Sequence, residues 1–138
     1  MTPRQIELIQ ESFQHHVRPI AAAAGKLFYG RLLELDPSLR PMFRDIDGQG
    51  RKLMQVMGAA VGMLRRPDDF FATVTELGHR HVAYGVRQEH FHTVGAALLW
   101  TLEQGLGEAF TPEVRDAWVA LYDAITWIMC RAAGKAAA

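Results

Sequence analysis

The stretch 77–86, LGHRHVAYGV, sets two histidines two positions apart in a segment with the apolar spacing of a helix. Residues four apart share a helix face, whereas residues two apart lie on nearly opposite sides. His81 falls four after Leu77 and three before Tyr84, on the apolar stripe. His79 falls with Thr75 and Glu76 on the polar side. His81 is therefore the imidazole expected inside. A lone inward histidine is ordinarily a core residue bonded to a carbonyl of its own helix. Two further polar residues weigh against that plain account here: Gln49 opens the inward stripe of a second helix, and Tyr29 lies on a third, near an aromatic corner at Phe43.

Burying an imidazole, an amide and a phenol without partners costs about 1–3 kcal/mol each, against a total stability of about 5–15 kcal/mol. Something is expected between them. A neutral imidazole is a good ligand for iron, while the amide and the phenol are hydrogen-bond donors. One ligand on one side and two donors on the other suit a haem with an open coordination position.

The elements that must position these groups are all helical. Thr2, Pro3 and Gln5 form a capping box ahead of the stripe Ile6, Ile9, Phe13. A second helix follows Pro19, carries Ala24, Phe28 and Leu35 along one side, and ends at LDPSLRP. From a cap at Asp47 the inward positions run Gln49, Leu53, Val56, Ala60 and Leu64, until RRPDD stops them. The next helix carries Val74, Leu77, His81 and Tyr84 and breaks at Gly85. Another carries Phe91, Val94, Leu98 and Leu102, and the last runs from TPE through Val114, Trp118, Leu121, Ile125 and Met129. No stretch alternates with period two for long enough to make a strand, so the expected class is all-α.

Composition narrows the partners. A chain of 138 residues with 49% hydrophobic content supports one domain, 1–138, with residues 132–138 (AAGKAAA) expected as a frayed tail. Basic and acidic side chains balance at 15 each, which disfavours nucleic acid and anionic membranes. The apolar runs are broken by charge and MTPRQIELIQ lacks the run of a secretory signal, so a soluble cytoplasmic protein is expected. Cys130 stands alone, which removes an internal disulfide, a zinc–thiolate site and covalent haem attachment through Cys-x-x-Cys-His.

From about Ile6 to Met129 the chain resembles the globins. KLFYGRLLELDPSLRPMF, GQGRKLMQVM, LGHRHVAYGVRQEHFHTVGAALLWTLEQGLGEAFTP and AWVALYDAI carry the likeness, which is greatest to neuroglobin-like globins and especially bacterial single-domain ones. The resemblance implies a three-over-three helical sandwich around a non-covalent haem b (iron protoporphyrin IX), with His81 as the proximal iron ligand. Phe43 matches the phenylalanine stacked on the haem, and Tyr29 the distal tyrosine of many bacterial members. Gln49 stands where vertebrate storage globins have a distal histidine. Leu53 matches the wall above the iron, and Leu77, Val86 and Phe91 the proximal lining. Gly25 and Gly50 match two small residues at a close helix crossing. Arg44, Lys52 and Arg80 are candidates for the haem propionates. The remaining histidines, His15, His16, His79, His90 and His92, are expected at the surface.

Flavohaemoglobins pair the proximal histidine with a tyrosine and a glutamate that push electrons toward the iron. Phe91 and Ala133 occupy the matching positions here. No flavin or nicotinamide domain is expected within 138 residues, and GQGRKL lacks the third glycine and the preceding strand of a dinucleotide loop. The implied function is tight binding of O2, with CO and NO as further ligands, at a five-coordinate ferrous iron. Tyr29 and Gln49 slow oxygen release, which suits scavenging better than delivery. The alternative is a nitric oxide dioxygenase or nitrite reductase dependent on an external reductase. A structural zinc module on the pairs His79/His81 and His90/His92 is the remote alternative, since convergence on a helix requires a spacing of three or four. A monomer or weak dimer is expected.

Overall fold

The computed structural model describes residues 1–43, 45–83 and 87–137, the side chains of 83, 88 and 133–137 aside. The helices are α1 (Pro3–Ser12), α2 (Ala21–Leu35), α3 (Ile46–Gly62), α4 (Pro67–Ala83), α5 (Gln88–Leu106) and α6 (Pro112–Ala137). A π-helical turn at Phe13–Val17 and a 3-10 turn at Arg18–Ile20 join α1 to α2, and 3-10 turns at Pro37–Met42 and Gly107–Ala109 form two further corners. No strand occurs among the described residues. The layer α1, α3, α4 packs across the layer α2, α5, α6, chiefly through α4 on α6, α2 on α3 and α1 on α6. This is the expected three-over-three sandwich.

Local chemistry accounts for the helix ends. Thr2 Oγ1 accepts from the Gln5 amide at 3.1 Å while Gln5 Oε1 accepts from the Thr2 amide at 3.0 Å, closing the capping box. Thr111 Oγ1 caps α6 by accepting from the Val114 amide at 3.2 Å. The cap of α3 is Asp45 rather than Asp47. Its extended backbone lets the carboxylate reach the Gly48 amide at 3.0 Å, while Asp47 lies inside the first turn. α6 is helical through Ala137. Alanine has the highest intrinsic helix propensity, and five of the seven residues 132–138 are alanine.

The inward face of α3 is rotated from the one the spacing suggests. Gly50, Met54, Ala60 and Val61 are buried, Leu53 and Met57 half-buried, and Val56, expected inside, is 39% exposed. The cause is the crossing with α2. A Cβ on Gly25 would sit 2.8 Å from Gly50 Cα, so the two backbones touch where both residues lack side chains. That contact turns the Gly50 edge of α3 toward α2 and leaves Gln49, Leu53 and Val56 along the border of the buried face.

Gly25→Ala measures this crossing. Alanine gains about 1 kcal/mol over glycine in a helix interior, but overpacking against backbone costs about 1–3 kcal/mol. The clash is expected to win, with a net loss read as a lower urea midpoint at unchanged slope.

The buried apolar side chains form two clusters. One centres on Ile9, Phe13, Val74, Trp118 and Leu121, the other on Phe28, Tyr29, Leu32, Leu39 and Ala97. Inside the first, Trp118 Nε1–H donates to Ser12 Oγ at 2.9 Å and Ser12 Oγ–H to the Leu8 carbonyl at 2.7 Å, so these two buried polar groups are paired. Leu53 and Leu98 are half-buried and pack against both clusters.

Candidate functional site

His81 lies in the last turn of α4, half-buried, while His79 is exposed. Its Nδ1 is 2.8 Å from the Leu77 carbonyl. A carbonyl only accepts, so Nδ1–H donates, and in the neutral imidazole Nε2 is then the atom with a lone pair for a metal. The same bond serves a plain core histidine and a metal-binding one. It orients the ring in both cases, and what stands around the site separates them.

The position of α4 is set by Gly78, one turn before His81. A Cβ there would lie 2.9 Å from Ala132 Cβ and 3.0 Å from Met129 Cα, so α4 rests directly on the backbone of α6. The sequence reading passed over Gly78. The available signal was its cost: glycine inside a helix loses about 1 kcal/mol and so calls for a packing reason.

α5 is tied down in a similar way. The Tyr122 hydroxyl donates to the Phe91 carbonyl, and its ring fills the space beside Gly95, where a Cβ would come within 2.7 Å of it. Burial raises the Tyr122 phenol well above its usual range, so it stays a donor. Tyr122, too, was absent from the expected set. The Phe91 side chain is half-buried on the same cluster as Leu77 and Leu53.

On α2, Tyr29 is buried between Phe28, edge-on with ring centroids 4.9 Å apart, and Phe43, tilted at 5.0 Å. The expected aromatic corner therefore exists. Among the described residues the Tyr29 hydroxyl makes no hydrogen bond to protein. Burial pushes its pKa from 10.0 up to about 12. The neutral phenol is thus favoured in the folded chain, and its contribution to stability is full below pH 10 and lost as the pH rises toward about 12. A phenolate-absorbance titration of the wild type minus Tyr29→Phe is expected to show a component near that upper value. A component at the ordinary tyrosine pKa would mean that the ring is not buried.

Gln49 is half-buried on the first turn of α3, with Leu53 one turn on. Lys52 is exposed and has no ion-pair partner among the described residues, whereas Arg80, also exposed, lies 3.5 Å from Glu76 across one turn of α4. Arg44, Tyr84, Gly85 and Val86 lie outside the described residues, as does the side chain of Ala133. Among the described residues no three histidine, cysteine, aspartate or glutamate side chains gather as a metal site, and no helix is long and apolar enough to cross a membrane.

The residues fit a haem. An oriented imidazole, half-covered apolar side chains at Leu53, Leu77, Phe91 and Leu98, and a buried phenol without a protein partner among the described residues are the parts such a group needs. Residues 26–129 match the globin family model. The chain is a globin.

Among its relatives, the flavohemoprotein of Bordetella pertussis is 38% identical to this globin over 104 residues. That match covers 72% of this globin but only 26% of the Bordetella chain, so the globin spans about a quarter of its relative's length. Neuroglobin of Tetraodon nigroviridis is 32% identical over 126 residues, covering 80% of this globin and 79% of that protein. Among solved structures, a hexacoordinated heme protein from an anhydrobiotic tardigrade, crystallised at pH 4, superposes with a TM-score of 0.87 over 96% of this globin and 95% of that chain. At 15% identity that likeness shows the shared fold.

Proposed function

We propose that this globin holds a non-covalent haem b through His81 Nε2 and retains dioxygen tightly on the side of Tyr29 and Gln49. The haem supplies an iron that binds O2, CO and NO. The observations that support this reading are the oriented His81 imidazole on α4 and a buried phenol on α2 that has no protein partner among the described residues.

The side chains divide the work. Leu77 and Phe91 would line the haem beside His81, with Leu53 and Phe43 on the other side; Val86, which the resemblance assigns to the same lining, lies outside the described residues. Lys52 and Arg80 reach the propionates at the rim, Lys52 more readily because Arg80 is shared with Glu76. Tyr29 Oη–H and the Gln49 amide donate to a dioxygen ligand that has drawn negative charge, which favours O2 over CO. The groups assigned to the side opposite His81 are a phenol and an amide instead of a second imidazole, so neither would compete strongly with the gas for the iron, and the ferrous state would be five-coordinate. The raised Tyr29 pKa keeps that donor protonated through neutral pH.

A second reading is nitric oxide dioxygenation or nitrite reduction, supplied with electrons by an external reductase. Its support is the likeness to a flavohemoprotein. The Leu77 carbonyl at His81 Nδ1 speaks for simple binding, because a neutral acceptor gives the imidazole less electron-donating character than a carboxylate would. Repeated conversion of nitric oxide to nitrate with a cellular reductant would favour the enzyme, a single turnover the binder.

The deciding experiment for the proposal is the visible spectrum of the protein as purified, after reduction, and after exposure to oxygen. A ferrous five-coordinate spectrum that converts to a long-lived oxygenated one is expected. A colourless protein that takes up no added hemin overturns it.

A further inference from the structure

The most exposed large apolar side chain described is Trp127, at 57%. It stands on the outward face of α6, opposite the buried Ile128 and Met129. Asp123 lies four residues before it and Arg131 four after, so all three share one strip. The Arg131 guanidinium sits over the Trp127 ring at 4.6 Å. Neither Asp123 nor Arg131 forms an ion pair among the described residues. Beside the strip a groove of about 660 Å³ runs between α5 and α6, lined by Leu99, Trp100, Phe110, Val119, Tyr122 and Cys130. Asp123, Thr126 and Cys130 belong to both the groove and the strip, which makes them one continuous surface.

We propose that this surface binds a second copy of the same chain, with the two α6 helices antiparallel about Trp127 and Arg131 of each copy facing Asp123 of the other. The charge order selects this occupant. Reversing a helix about position 127 exchanges positions 123 and 131, so a negative–aromatic–positive strip is complementary to itself under a two-fold axis. A parallel copy would oppose like charges, and a partner of one charge sign would leave either Asp123 or Arg131 unmatched. Helices in contact lie about 8–10 Å apart, within reach of an arginine and an aspartate. Antiparallel helix dipoles add to the preference. Trp127 then supplies the central aromatic anchor that associating surfaces favour, and the groove beside it receives the edges of the partner. The pairing does not depend on the haem reading.

Sedimentation velocity of the full chain under reducing conditions tests the proposal, with the reductant excluding a disulfide through the half-buried Cys130. A concentration-dependent dimer is expected. Trp127→Glu, Asp123→Arg and Arg131→Asp all alter exposed positions, so the fold is kept and circular dichroism stays unchanged. Each should weaken association at least about tenfold. Mixing the Asp123→Arg and Arg131→Asp proteins should restore dimers, because each copy then carries the charge that the other lacks. A wild type that stays monomeric throughout the range overturns the proposal, including one that captures a small apolar molecule or another protein on this strip. So do a dimer indifferent to all three substitutions and a mixture that fails to recover.

Discussion

His81→Ala is expected to purify without bound haem, or to lose it on dilution, and to regain a ferrous spectrum when free imidazole is added. Changing a residue that only orients a metal ligand costs roughly ten- to hundredfold in affinity, and removing the ligand itself should cost more. The Leu77 carbonyl and the contact of Gly78 on α6 leave the seat in place without the side chain, and so added imidazole can enter it. His79→Ala is the control, since that ring is exposed on the far side of α4 and its loss should leave the spectrum as it was. Full haem retention with an unaltered ferrous spectrum in His81→Ala would end the assignment. A core histidine bonded to its own helix predicts that outcome, together with a loss of stability.

Tyr29→Phe is expected to speed oxygen release by roughly ten- to hundredfold, and Gln49→Leu by less. A hydrogen bond to a charged acceptor contributes about 1.5–3 kcal/mol, and about 1.4 kcal/mol is a factor of ten. The order follows from geometry. Phe28 and Phe43 hold the Tyr29 ring at 4.9 and 5.0 Å, so the hydroxyl is aimed before any ligand arrives. Gln49 sits half-buried at the border of the α3 face and must give up side-chain freedom to donate. Phenylalanine keeps the ring and removes only the hydroxyl, so stability should hold or rise, because that hydroxyl has no protein partner among the described residues. Carbon monoxide release should change little in either variant. Stopped-flow displacement of oxygen by carbon monoxide gives both rates, and unchanged oxygen rates in both variants would remove the distal-donor account.

The helices were legible because amphipathic periodicity and capping are local. The Thr2–Gln5 box and the Thr111 cap stand where the residues suggested, and His81 rather than His79 faces inward, as the fourfold spacing required. The resemblance to globins likewise anticipated the Gly25–Gly50 crossing. The face of α3 was misjudged at Val56 because that crossing rotates the helix. A contact between residues 25 apart in sequence leaves no periodic mark. Gly78 and Tyr122 escaped notice for the same reason. Each acts by touching another helix, Gly78 on Met129 and Ala132, Tyr122 on Phe91 and Gly95.

From its order of residues alone this chain determined that it is helical, where α1 and α6 begin, and that His81 rather than His79 lies on the inward side of its helix. Spacing along a helix specifies direction around its axis, and no more. Tertiary structure decided how closely α2 meets α3 and α4 meets α6. It also decided that Tyr29 is held between two rings, and that Asp123 and Arg131 beside Trp127 form no ion pair among the described residues. Those outcomes depend on backbone approaches of a few ångströms between distant segments, which close packing enforces only once all six helices are in place.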